Sequence, residues 1–101
     1  MRYGFIGCGN MGSAIARAVC RGAGAENVTL ANRTPAKAEA LAKELGCAAA
    51  DNNTVAADCD VIFLGVKPQM MAGMLAGIAP VLAKRGGKLA IKAIKEAVDK
   101  L

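Results

Sequence analysis

The stretch GFIGCGNMGSAIARAV, Gly4 to Val19, places three glycines at the spacing G-x-G-x-x-G directly after an apolar run and directly before a helical pattern. A turn that leads from a buried strand into a helix over these glycines can hold a diphosphate. Gly7 permits the tight turn, Gly9 lets phosphates approach a backbone without a Cβ, and Gly12 lets the helix sit close to the strand. The free N–H groups of Asn10, Met11 and Gly12, at the positive helix end, then face the ligand. Glycine turns also arise where a chain merely reverses. It is the order strand, loop, helix that favours a dinucleotide here.

The rest of the chain continues the alternation. Val28 to Asn32 (VTLAN) is apolar and β-branched, a second strand. Thr34 before Pro35 predicts an N-cap and first-turn proline, and Ala38, Leu41, Ala42 and Leu45 form an apolar stripe that Gly46 ends. Cys47 to Ala50 reads as a short third strand, followed by a helix from near Thr54. Asp60 to Val66 (DVIFLGV) is the clearest strand, and Lys67-Pro68 ends it. Met70, Met71, Met74, Leu75, Ile78 and Leu82 form a helix face that Pro80 is expected to disturb, with the methionines as core filler. Strands and helices in this order imply right-handed β-α-β units and a Rossmann-like parallel sheet with flanking helices, an α/β fold in one small domain.

Composition narrows the partners. The chain of 101 residues carries a net charge of +5, but its Lys and Arg are dispersed and one Tyr with two Phe offer no stacking platform. Nucleic acid is therefore not expected. Met70 to Ala83 is too short for a bilayer span and is broken by Gly73, Gly77 and Pro80. No secretory signal is legible at the start, and a cytoplasmic location is expected. Cys8, Cys20, Cys47 and Cys59 form no C-x-x-C pair and there is no histidine, so reduced thiols and no metal site are expected.

The position about twenty residues beyond the glycine loop decides between dinucleotides. An NAD site usually carries a carboxylate there, whereas this chain has Asn32, Arg33 and Thr34. Arg33 supplies a charged planar fork for a 2′-phosphate, and Thr34 adds a hydroxyl while it caps the helix. NADP(H) is expected over NAD(H).

At these residues the chain resembles the N-terminal domain of the pyrroline-5-carboxylate reductase family. GFIGCGNMGSAI resembles that family's opening motif, ANRTPAKAEAL its adenosine-side turn, and DVIFLGVKPQMM its fourth strand and following loop, a likeness running from Met1 to about Lys84. The resemblance implies Asn10 and Met11 at the diphosphate, Asn32, Arg33 and Thr34 at the adenosine ribose, and Val66, Lys67 and Pro68 beside the nicotinamide ribose, with Gln69 following. It also implies NADPH-dependent reduction of 1-pyrroline-5-carboxylate to L-proline. NRT is shared with β-hydroxyacid dehydrogenases, a second family to weigh. No catalytic residue is assigned; Lys67 reads better as a strand-end lysine than as a general acid.

After Arg85 the resemblance stops. Residues 86–101 have a simple composition, with Ile91, Ile94, Val98 and Leu101 at 3-4-3 spacing and Lys92, Glu96 and Lys100 placed for i,i+4 pairs. The expected division is a dinucleotide-binding domain over 1–85 and an amphipathic tail helix over 86–101, which offers residues 91–101 for self-association; KLAI alone also fits a fifth strand. A truncated or engineered chain is expected from this tail. The two functional classes in competition are an oxidoreductase and a non-catalytic nucleotide-binding module or scaffold.

Overall fold

The computed structural model describes residues 1–85 and the backbone of residues 90–93. Its elements are β1 (Tyr3–Ile6), α1 (Asn10–Ala23), β2 (Val28–Ala31), α2 (Pro35–Leu45), β3 (Ala48–Ala49), α3 (Asn52–Asp58), β4 (Val61–Leu64), α4 (Pro68–Arg85) and β5 (Ala90–Ala93). A single 3-10 turn, Ala25–Asn27, joins α1 to β2. The strands pair in parallel in the order β3-β2-β1-β4-β5. The chain thus moves outward from β1 to β3, then crosses back to place β4 on the other side of β1.

The two directions of travel put the helices on opposite faces, since each crossover is right-handed. Phe5, Val28 and Leu30 face α1 and α2, where they pack on Ala16, Ala38 and Ala42. Ile6, Ile62 and Leu64 face α3 and α4, where they meet Val55, Ala56 and Ile78. Alternate residues of one strand serve alternate faces, which is why β1 and β2 read as continuous apolar runs. The stacked rings of Phe5 and Phe63, 4.6 Å between centroids and 11° apart in plane, tie β1 to β4 on the first face.

Small residues set the layer spacing. On Gly4 an ideal Cβ would stand 2.5 Å from Val55 Cγ1 and 2.7 Å from Cys59 Sγ, so α3 lies against β1 where no side chain intervenes. At the N-terminal edge of the sheet, Arg2 N–H donates to the Asp60 carboxylate at 2.8 Å. Arg85, at the end of α4, donates to the carbonyls of Ala56 and Cys59 at the end of α3 and lies 3.8 Å from Asp60. One guanidinium therefore satisfies helix-end carbonyls that have no partner within α3.

Helix α1 ends at Ala23 before Gly24, whose positive φ of 94° suits a glycine, so the stop expected from Gly22 and Gly24 holds. Other boundaries differ from the expected ones in instructive places. Helix α3 begins at Asn52 instead of near Thr54, because Asp51 caps it by accepting from Thr54 N–H at 2.7 Å. Helix α4 continues through the exposed Pro80. The tail helix expected over 86–101 is corrected at 90–93, which form β5 beside β4, with Ile91 opposite Ile62. The other residues of that stretch, and most of the self-association surface expected at 91–101, lie outside the described residues.

Gly4→Ala is expected to destabilise the chain by about 1–3 kcal/mol, the scale of overpacking a close-packed layer. Chemical denaturation of the variant checks this; an unchanged midpoint would mean that α3 can withdraw from β1 without cost.

Candidate functional site

The three segments singled out in the sequence lie side by side at the C-terminal ends of adjacent strands. The glycine loop follows β1, Asn32 to Thr34 follow β2, and Val66 to Pro68 follow β4. Because β2 and β4 flank β1 while the connections after β1 and β4 run over opposite faces, the loops part here and leave the crevice in which open parallel sheets hold ligands. Sheet hydrogen bonding extends past the strands to fix the loop starts: Gly7 N–H donates to Ala31 O at 2.9 Å and Gly65 N–H to Ile6 O at 2.8 Å.

Within the glycine loop each residue has a distinct constraint. Gly7 takes a φ of 102°, and a Cβ there would lie 2.5 Å from the Gly65 carbonyl oxygen, so both conformation and space demand glycine. Gly9 has an ordinary φ of −74°, and a Cβ on it would meet nothing within 4 Å. Neither conformation nor packing among the described residues demands glycine at position 9. Gly9 is the N-cap of α1 without a side-chain cap, no acidic residue occupies the first turn, and the first backbone bond into the helix is from Ser13 N–H to Gly9 O, 2.8 Å. The N–H groups of Asn10, Met11 and Gly12 precede that bond and remain at the positive helix end. An open cradle lined by backbone donors fits the diphosphate of a dinucleotide.

Beside the glycine loop, a cleft of about 510 Å³ opens between the start of α2 and the start of α3. Asn32 and Arg33 line it from one side, Asp51, Asn52 and Asn53 from the other, with Pro35 and Glu39 along α2. Arg33 is exposed and lines a cleft that Glu39 and Asp51 also line. The Thr34 hydroxyl does not cap α2, although Thr34 occupies the N-cap position. Asn32 is turned inward: its Oδ1 accepts from Cys8 N–H at 2.9 Å and its Nδ2 donates to Thr34 O at 3.2 Å.

On the β4 side, Val66 is half-buried and packs against the α3/α4 core cluster. Lys67 and Pro68 are exposed, with Pro68 opening α4 and Lys67 O accepting from Met70 N–H at 2.9 Å. Asp51, Asn52, Asn53 and Glu39 are cleft residues that sequence reading missed. The Asp-Asn-Asn run before an apolar pair was a visible cap signal, but its distance from α2 was not.

Ionisation in and near the site is set by simple causes. Hydrogen bonds from the Thr54 side chain and then its backbone N–H hold Asp51 below the usual carboxylate range. Its cap on α3 is thus in place at neutral pH and is lost only as pH falls through that lowered value. All four cysteines are free; burial raises Cys8 and Cys59, and burial together with the neighbouring Cys20 pushes Cys47 up to about 12. These three thiols are protonated at neutral pH and are poor nucleophiles. Among the described residues no group of three or more His, Cys, Asp or Glu could hold a metal ion, and no helix is long and apolar enough to cross a membrane.

Comparison with known proteins agrees with this arrangement. The profile of a family described as NADP oxidoreductase, coenzyme F420-dependent, matches residues 2–94. Pyrroline-5-carboxylate reductase 3 of Rattus norvegicus is 34% identical over 83 residues, covering 80% of this chain and 30% of the relative. The pyrroline-5-carboxylate reductase of Aquifex aeolicus is 39% identical over 70 residues, covering 68% of this chain and 26% of the relative. The chain therefore spans less than a third of the length of either. Among solved structures, Plasmodium falciparum pyrroline carboxylate reductase with NADP bound superposes with a TM-score of 0.73 at 26% identity, over 93% of this chain and 33% of that one. A Rossmann-like sheet, an open glycine cradle and a family match over most of the sequence lead to one conclusion: the chain belongs to the coenzyme F420-dependent NADP oxidoreductase family, and its relatives include pyrroline-5-carboxylate reductases.

Proposed function

We propose that this chain binds NADP(H) across the C-terminal ends of β2, β1 and β4 and forms the cofactor half of a reductase that converts 1-pyrroline-5-carboxylate to L-proline. The observation that carries the reading is Gly9, a glycine with ordinary backbone angles and empty space where its side chain would be. Gly9 and the N–H groups of Asn10, Met11 and Gly12 receive the diphosphate. Arg33, exposed at the adenosine cleft, pairs with the 2′-phosphate, with Asn32 and Thr34 beside the ribose. Val66, Lys67 and Pro68 border the nicotinamide ribose. When bound, the cofactor supplies the hydride that reduces the substrate's C=N carbon.

Gly9→Ala gives the direct test. The fold is expected to keep its stability, because the new methyl group meets nothing, while NADPH binding is lost because the methyl group occupies the diphosphate space. Circular dichroism and a cofactor titration on one sample check both halves. Unchanged binding would reduce the loop to a turn and leave the scaffold reading standing.

Arg33→Ala is expected to weaken NADPH binding by about 1.5–3 kcal/mol, the scale of a charged hydrogen bond, and to leave NADH nearly unaffected. Parallel titrations measure the difference; equal losses for both cofactors overturn the 2′-phosphate assignment.

Binding and turnover are expected to separate in these 101 residues. A mixture with NADPH and pyrroline-5-carboxylate should show nucleotide binding and no proline above background, since a substrate that is not held in place forfeits roughly 7–11 kcal/mol of barrier lowering. Following NADPH absorbance against a full-length reductase checks this, and stoichiometric oxidation by this chain alone would overturn the half-site reading.

A further inference from the structure

We infer that Asn32 is a positioning residue for the glycine loop, and that its principal contribution to cofactor binding passes through the Cys8 peptide to the diphosphate cradle instead of through contact with the ribose. The inference rests on the cofactor reading above and deepens it. Its basis is the treatment of Cys8, the residue between the two loop glycines, whose polar groups are all engaged. Cys8 N–H donates to Asn32 Oδ1 at 2.9 Å, Cys8 O accepts from the Ser13 hydroxyl at 3.1 Å, and Cys8 Sγ lies 3.5 Å from Ala31 O. Asn32 is in turn held by its own Nδ2, which donates to Thr34 O at 3.2 Å.

The chemistry of the amide explains why this residue suits the task. One end must accept from Cys8 N–H and the other must donate to Thr34 O, and the two ends of a short amide side chain supply both at once. Alanine supplies neither group. A carboxylate accepts from Cys8 but sets a charge against the Thr34 carbonyl, and a serine hydroxyl is too short to span the same two partners. The amide thereby joins the turn after β1 to the turn after β2 across 24 residues of sequence. The Ser13 hydroxyl closes the third side from within α1, below the donors that face the phosphates.

The orientation of the Cys8 peptide determines where Gly9 sits and how the first turn of α1 is presented. Gly7 and Gly9 flank it, and glycines leave a peptide more conformational freedom than any other residue. Without the clamp that freedom would have to be removed on binding, and the loss would fall on diphosphate contacts. Asn32 is half-buried, consistent with a residue turned toward the loop.

The test separates the two routes by fragment. 2′-AMP carries the adenosine ribose and its 2′-phosphate but no diphosphate, whereas NADPH carries all three. Asn32→Ala is expected to weaken NADPH about tenfold or more while 2′-AMP affinity, read by NMR titration, stays within about twofold. Ser13→Ala, remote from β2 in sequence, is expected to show the same selectivity with a smaller loss. Amide hydrogen exchange of the free protein provides a readout without cofactor: Cys8 should exchange faster in Asn32→Ala, with Phe5 and Leu30 unchanged as the control for intact folding. Equal loss of NADPH and 2′-AMP would make Asn32 a ribose contact and overturn the inference. So would unaltered Cys8 exchange, or unaltered NADPH binding. A wild-type chain that binds neither ligand refutes the cofactor reading and this inference with it, an outcome distinct from one in which both bind and the variants change nothing.

Discussion

The close approach of Gly7 to Gly65 is the constraint on which the upper edge of the sheet depends. A Cβ on Gly7 would stand 2.5 Å from the Gly65 carbonyl, so the turns leaving β1 and β4 can sit in contact only because the first has no side chain. With those turns in contact, the sheet ladder extends by one bond on each side of β1, from Gly7 to Ala31 and from Gly65 to Ile6. The three loops that leave β2, β1 and β4 therefore start from fixed points. Their divergence to opposite faces then creates the crevice without any dedicated wall.

Much of this arrangement is local and so legible in the sequence. The glycine spacing, the Thr34-Pro35 entry with Gly46 at the exit of α2, and the apolar DVIFLGV run each encode their element within a few residues. The structure places α2 at Pro35–Leu45 and gives Gly46 a left-handed φ of 77°, as that signature requires. Strand periodicity was equally plain, because residues buried on both faces leave no polar alternation.

What was not legible depends on partners far away in the chain. The tail pattern around Ile91 satisfies a helix and a strand alike, and the tie is broken by a pairing with Ile62, which no local window contains. Asn32 Oδ1 accepts from Cys8 N–H, a partner 24 residues away that no local pattern announces. The cleft residues Asp51 to Asn53 come near Arg33 only because β3 pairs with β2. The close packing of α3 on Gly4 likewise has no local signal, since Val55 and Cys59 lie more than fifty residues away. Each miss concerns a residue whose role is set by which element lies opposite, not by its own neighbours.

The clasp formed by the Arg2 backbone N–H, the Asp60 carboxylate and the Arg85 guanidinium gives the opposite edge of the sheet a separate character. It fastens the beginnings of β1 and β4 to the ends of α3 and α4, a strand length away from the crevice. Anchoring and recognition thus occupy different ends of the same strands. Substitutions in the loops at the crevice leave this fastening untouched, so the scaffold can change at one rim while the other keeps it folded.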